Sequence, residues 1–340
     1  MMKNISFKTI MKYRNNIFGV SALWIVAFHI YYMIYAPSVG IVKDILRTGN
    51  MGVDVFLFLS AIGLSYSVEK NTLSDFYKNR FSRLIIPFFV LSLPFYIWKD
   101  FFANSITLMT PFRFVLDMTS LSFWVFDYYE LWYISFIALM YILFPWLYKL
   151  YKKNKYYILF LMSISILSEI LAWQTKAYIY TNLEIAFSRV PIFLFGILIS
   201  DYVKKDVKIN FSGVIFLSVL FVISFIVRTN VSMLILFTRY IYGVMAVCFV
   251  IVSGYLFNLI NTRKALKPIC KISEFAGNIS LEIYIIHALI IRVIKHYKIF
   301  DFEWYLYYIF VFVVTIIIAL AYQKLIKIYK NAGVQKNVQE

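Results

Sequence analysis

The side chains with the most chemistry in this sequence lie inside long apolar runs: His29, Asp54, Glu169, Arg189, Arg239, Glu282 and His287. Lipid penalises ionisable groups, so each is expected to face a cavity or another polar group. His29 lies about twelve residues into the first run, roughly 18 Å from the end that carries the N-terminus. Asp54 enters the second run from the opposite end and falls within about 6 Å of the same depth. Sequential helices are usually neighbours, so an imidazole–carboxylate pair is allowed. Such a pair would orient the ring and raise its basicity, which suits a general base for a hydroxyl nucleophile. The plainer alternative is a histidine hydrogen-bonded inside the bundle for packing alone. Glu169 and Arg239 read as partners in a buried charge pair.

A second constellation is Phe76-Tyr77-Lys78-Asn79-Arg80-Phe81-Ser82-Arg83, just before the third run. Arg80 and Arg83 are three apart and project from one helix face. Guanidinium forks fit phosphate oxygens, so the pair suits a phosphate-bearing ligand; equally, it suits lipid head groups. Met51-Gly52-Val53-Asp54 sets a glycine beside a carboxylate, where backbone or ligand can come close. Trp132 and Tyr133 fit an interfacial aromatic belt, and the proline of Arg189-Val190-Pro191 fits a first helical turn. In Gly277-Asn278-Ile279-Ser280-Leu281-Glu282-Ile283-Tyr284, Glu282 and Tyr284 fall near the end that carries the N-terminus, with His287 about a turn and a half deeper.

The elements that must position these groups are membrane helices. Of 340 residues, 62% are apolar and only 15% charged, far from the balance of a soluble domain. Apolar runs of spanning length lie near 17–36, 50–68, 84–103, 130–150, 156–173, 186–203, 211–228, 234–258, 279–297 and 304–326. The expected fold is therefore all-α and integral to the membrane, with about ten transmembrane helices. Residues 106–129 read as an outer, mostly non-spanning segment. Twenty-three of the 34 Lys and Arg fall on the side of the N-terminus, which puts both termini in the cytoplasm. Arg292, Lys295 and Lys298 form a local exception on the outer side. The net charge of +17 is thus topological, and no nucleic-acid partner is expected. Cys248 and Cys270 have no metal-ligand spacing, so no metal site is expected. The chain divides into a cytoplasmic segment 1–16, one membrane domain 17–326 and a cytoplasmic tail 327–340. Neither a removable signal peptide nor a fused soluble module is expected.

Six of these segments, in order, resemble the integral-membrane acyltransferase family 3, which includes sugar O-acetyltransferases of surface polysaccharides. They are Gly19 through His29, Gly52 through Ser60, Phe76 through Arg83 with Pro87, Leu131-Trp132-Tyr133-Ile134, Arg189 through Phe193 with Gly196, and Ile279 through Tyr284 with His287. Two positions depart from the family pattern. Phe18 stands where an arginine is common, with Arg14 one turn earlier, and Ser60-Ala61-Ile62 replaces Ser-Gly-Phe.

The resemblance implies a membrane-bound acyltransferase in a bacterial inner (cytoplasmic) membrane, with membrane lipids around it. The donor would be cytoplasmic acyl-CoA, acetyl-CoA by family habit, and no cofactor would be permanently bound. The acceptor would be a hydroxyl of a cell-surface polysaccharide or lipid-linked sugar. His29 and Asp54 would be catalytic, and Arg80 and Arg83 would hold CoA phosphates. Arg14, Trp132, Tyr133, Arg189, Ser280, Glu282 and His287 would support them. Two other readings fit the same spans: a transporter or flippase for a lipid-linked glycan, and a non-catalytic scaffold.

Overall fold

A computed structural model describes residues 4–33, 40–125, 131–175, 181–230, 237–299 and 303–336. The backbone is almost wholly helical, as lipid demands: only a helix satisfies every N–H and C=O within its own segment. The helices are α1 (Phe7–Lys12), α2 (Arg14–Met33), α3 (Gly40–Thr48), α4 (Met51–Lys70), α5 (Leu73–Trp98), α6 (Thr110–Met118), α7 (Ser122–Val125) and α8 (Trp132–Lys153). They continue with α9 (Lys155–Thr175), α10 (Thr181–Phe187), α11 (Val190–Lys204), α12 (Phe211–Asn230), α13 (Thr238–Asn261), α14 (Lys267–Asn278), α15 (Ser280–His296) and α16 (Trp304–Lys336).

Over its described residues, each of the ten expected runs is mostly helical. Among the described residues, seven helices are long and apolar enough to cross a membrane, or eight if α14 and α15, bent by 71°, count as one broken span. The helices α2 and α9, of 20 and 21 residues, occupy the first and fifth expected runs. The described part of residues 106–129 is broken into α6 and α7, both too short to span, in keeping with a mostly non-spanning segment. Residues 126–130, including Glu130, lie outside the described residues, as do 34–39 and 337–340. Helix α16 runs on past residue 326 to Lys336.

The bundle is organised around α4, whose apolar stretch is 78% covered by protein, against 11% in α12. The outer faces of α12 and α16 present residues such as Phe216, Val219, Ile309 and Phe310 to the surroundings, as lipid-facing helices do. Helix α2 lies between α4, α14 and α15. It approaches α14 backbone to backbone: a Cβ on Gly19 would meet Ser273 O at 1.9 Å, and one on Gly277 would meet Asn15 O at 1.8 Å. Small residues at such crossings let membrane helices pack closely. Asn16 secures the crossing by donating to Cys270 O (2.6 Å) and Ser273 Oγ (2.9 Å).

Two features were not foreseen. The basic stretch around Cys270 falls between the expected spans, yet Lys267–Asn278 is helical, with Pro268 in its first turn. The N-terminal segment is also tied down: Ile5–Ser6 pairs antiparallel with Lys208–Ile209, and the Lys8 amide donates to Asp206 Oδ1 at 2.9 Å. Hydrogen bonds from the Ser6 hydroxyl and that amide hold the Asp206 carboxyl below its ordinary range. The pairing puts the first basic cluster beside the one at Lys204–Lys208, on one end of the bundle.

Candidate active site

At that end a cavity of about 1240 Å³ opens between α2, α4, α5, α8, α15 and α16. Its mouth is basic. Arg14 and Arg83 line it, and Arg80 lies close enough for its charge to be felt at Arg14. The Arg14 guanidinium stacks 4.7 Å from the centre of the Phe18 ring. Gly63 of α4 faces it so closely that a Cβ there would be 3.1 Å from Arg14 Nη2. One wall carries Ser280, Glu282 and Gln323, whose amide donates to Glu282 Oε1 at 2.6 Å. The inner wall includes Ile25, Tyr133 and Tyr284; the Tyr133 amide donates to the Tyr284 hydroxyl at 3.4 Å.

One helical turn beyond Ile25 stands His29. Its Nδ1 is 2.8 Å from Nε2 of His287, and Nδ1 of His287 is 2.7 Å from the Ile283 carbonyl. These contacts fix the tautomers of a neutral pair. A carbonyl can only accept, so His287 Nδ1 carries a proton and its Nε2 carries a lone pair. His29 Nδ1 must then donate to that lone pair. His29 Nε2 is left as the basic nitrogen. The chain of bonds from the α15 backbone through two imidazoles holds His29 in the one form that can take a proton at Nε2. His287 is fully buried, and the Tyr284 ring lies 5.8 Å from its own, linking the pair to the cavity wall.

Asp54 is not the group that orients His29. Its Oδ1 lies 3.7 Å from Arg189 Nε, on the far side of α4. The two helices are neighbours as expected, but Asp54 is turned away from α2. The face of α4 that meets α2 is set by Gly52, where a Cβ would collide with Ile25 and Ser21 O. Two residues on, Asp54 is turned about 200° round the helix, towards α11. Arg189 is completely buried: it donates to Ile185 O (2.7 Å) and Asn50 Oδ1 (2.9 Å) and stacks 4.7 Å over Trp132, while its Nε makes no hydrogen bond. Three expected site residues, Asp54, Trp132 and Arg189, thus form one polar plug.

The Acyltransferase domain family matches residues 19–324, nearly the whole described bundle. The chain belongs to the acyltransferase 3 family. No curated protein and no solved structure matches it.

In this membrane acyltransferase the family resemblance and the geometry meet at α2 and α15, which supply the two histidines. At the Phe18 departure, Arg14 lines the cavity and its guanidinium stacks on the Phe18 ring. Tyr141, which lines the cavity, Gln323 and Asn50 did not stand out in the sequence. Each is a common residue on an apolar helix, with no spacing signal to set it apart. Glu169 and Arg239 do not bond each other: the Tyr240 hydroxyl donates to Glu169, and Arg239 Nε lies 3.7 Å from Glu184 Oε1.

Proposed function

We propose that this acyltransferase moves an acyl group, acetyl by family habit, from cytoplasmic acyl-CoA to a hydroxyl of a cell-surface polysaccharide or lipid-linked sugar. It would do so in a bacterial inner membrane, with ten spans and both termini in the cytoplasm. The observation that carries the reading is the hydrogen-bonded pair His287–His29, one turn beyond a cavity lined by Arg14 and Arg83, with Arg80 near enough to act on Arg14. Arg14, Arg80 and Arg83 offer forks for phosphate oxygens. The cavity gives the thioester arm a path inward. At its inner end, His29 Nε2 takes the proton of the acceptor hydroxyl as the hydroxyl oxygen attacks the thioester carbonyl. The C–S bond then breaks, and the same nitrogen returns its proton to the departing sulfur, leaving an ester and a free CoA thiol. While His29 carries the extra proton, its Nδ1–H still donates to His287 Nε2, so the ring stays oriented through both halves of the reaction.

The test compares surface glycans by mass spectrometry in cells carrying the intact gene, a deletion or His29→Ala. Both altered strains should lose one acyl mass per modified unit, with the variant protein still inserted at normal abundance. Acylation retained by His29→Ala removes the histidine from the chemistry. Glycan export lost with acyl content unchanged favours the transporter reading. In parallel, acetyl-CoA should raise the thermal stability of the purified protein in a salt-sensitive manner, and Arg80→Ala with Arg83→Ala should weaken that shift.

A further inference from the structure

The cavity behind the arginine mouth also opens sideways. Helices α5 and α16 both pack on α15, and between them the cavity is lined by Ile86 and Val90 of α5 and by Leu325, Ile328 and Tyr329 of α16. These side chains are 45 to 80% exposed on the outside of the bundle. Residues that line a cavity and also face the surroundings mark a breach in its wall, and α15 forms the back of the resulting slot. The slot lies on the same half of the bundle as the arginine mouth. Ile86 and Val90 are three and seven residues beyond Arg83, about 4 and 10 Å along α5. Its edges are apolar, so it opens onto hydrocarbon rather than water.

Behind those edges the lining changes character. Ser280 and Glu282 of α15 and Gln323 of α16 line the cavity, and Glu282, itself buried, accepts from the Gln323 amide at 2.6 Å. A hydroxyl, a carboxylate and a carboxamide suit the hydroxyls of a sugar, not an alkyl chain. Glu282 precedes His287 by five residues, about 8 Å along α15, so a sugar held at the carboxylate can present a hydroxyl towards the histidine pair. An apolar slot leading to a polar wall matches a molecule with a lipid tail and a sugar head.

In the proposed reaction both substrates occupy the cavity together, with the CoA at the arginine mouth, so the acceptor needs a second way in. We propose that the acceptor is a lipid-linked sugar that enters sideways between α5 and α16, from the leaflet on the side of the arginine mouth. Its tail stays in the slot while Ser280, Glu282 and Gln323 hold the sugar. Acylation then takes place on the lipid-linked unit, before that unit reaches the opposite face of the membrane. The assignment rests on the acyl-transfer reading, and the experiment separates the two.

In cells, the photoreactive residue p-benzoylphenylalanine is placed at Val90, at Ile328 or, as a control on the lipid-facing side of α12, at Val219. After illumination the full-length protein is purified and its lipid adducts are identified by mass spectrometry. Val90 and Ile328 should carry adducts containing both a lipid tail and a sugar, and Val219 only phospholipid. With Glu282→Leu in the same chain the sugar-bearing adducts should be lost and the phospholipid adduct at Val219 kept. Phospholipid alone at all three positions would mean that bulk lipid fills the slot, and a long-chain acyl-CoA adduct would mean that it takes the donor's tail; either overturns the proposal. Sugar-bearing adducts undiminished by Glu282→Leu would overturn it as well. The thermal shift with acetyl-CoA is read on the same proteins. A shift without sugar-bearing adducts leaves acyl transfer standing and removes the slot assignment. Sugar-bearing adducts without a shift keep the slot and sink the acyl-transfer reading instead.

Discussion

At the scale of single residues, the structure divides the expected catalytic pair between two different jobs. His29 is oriented by His287, whereas Asp54 neutralises Arg189. The two arrangements give opposite signatures on substitution. His287→Gln should lower kcat about 10²- to 10³-fold, because a flexible amide with both an acceptor oxygen and a donor nitrogen no longer fixes which nitrogen of His29 carries the proton, with little change in the acyl-CoA KM or in thermal stability. Asp54→Asn should instead destabilise the fold by about 3 kcal/mol, since it strands a buried guanidinium. A variant series in which Asp54→Asn cuts kcat at unchanged stability, and His287→Gln does neither, would restore the imidazole–carboxylate reading. The histidines and arginines were legible because lipid makes polar groups conspicuous. Their partners were not, because depth along a helix follows from residue number but azimuth depends on which face meets which neighbour. Gly52 was the clue to that face: it marks the side of α4 pressed on α2, and so turns Asp54 away.

At the scale of elements, the site depends on one close crossing. Helices α2 and α14 touch through Gly19 and Gly277, and the chain then bends into α15, which carries His287. The apolar runs predicted a helix at each expected span. They did not predict α14, because its amphipathic stretch is short and opens with a basic, proline-containing segment that reads equally well as a loop. Nor could two-residue strands leave a pattern long enough to see. If the crossing sets the separation of the two histidines, a methyl group there should be felt at both. Gly277→Ala should cost about 3 kcal/mol or more, because the added carbon meets backbone rather than a flexible side chain. It should also lower kcat, as α15 shifts relative to α2. Gly40→Ala is the control: nothing lies within 4 Å of its Cβ, so stability and turnover should stay at the wild-type level. Stability measured by chemical denaturation in detergent distinguishes the cases, and a neutral Gly277→Ala would show that the crossing is loose.

At the scale of the whole molecule, the cavity opens at one end of the bundle and the histidine pair lies one helical turn beyond its inner wall. His29 is fifteen residues from Arg14, about 22 Å along α2, within a bilayer core of about 30 Å. On the proposed function, with Arg14 at the membrane edge, His29 would stand deep in the membrane, beyond the reach of a soluble donor unless the cavity admits its thioester arm. That makes sidedness the property on which the rest depends: the arginine mouth must face the compartment that holds acyl-CoA. The strand pair Ile5–Ile209 puts Lys208 at the same end as that mouth, and Lys298 follows α15 at the other. Single cysteines at these positions report the sides separately, and the native Cys248 and Cys270 are both buried and should contribute little labelling. In intact cells stripped of any outer barrier, Lys298→Cys should react with a membrane-impermeant maleimide, and Lys208→Cys should react only after the membrane is opened. The reverse pattern would put the arginine mouth outside and leave it without a donor. Labelling of both from outside would mean that the end bearing the N-terminus is not sealed from the medium, and the count of spans between residues 208 and 298 would have to change with it.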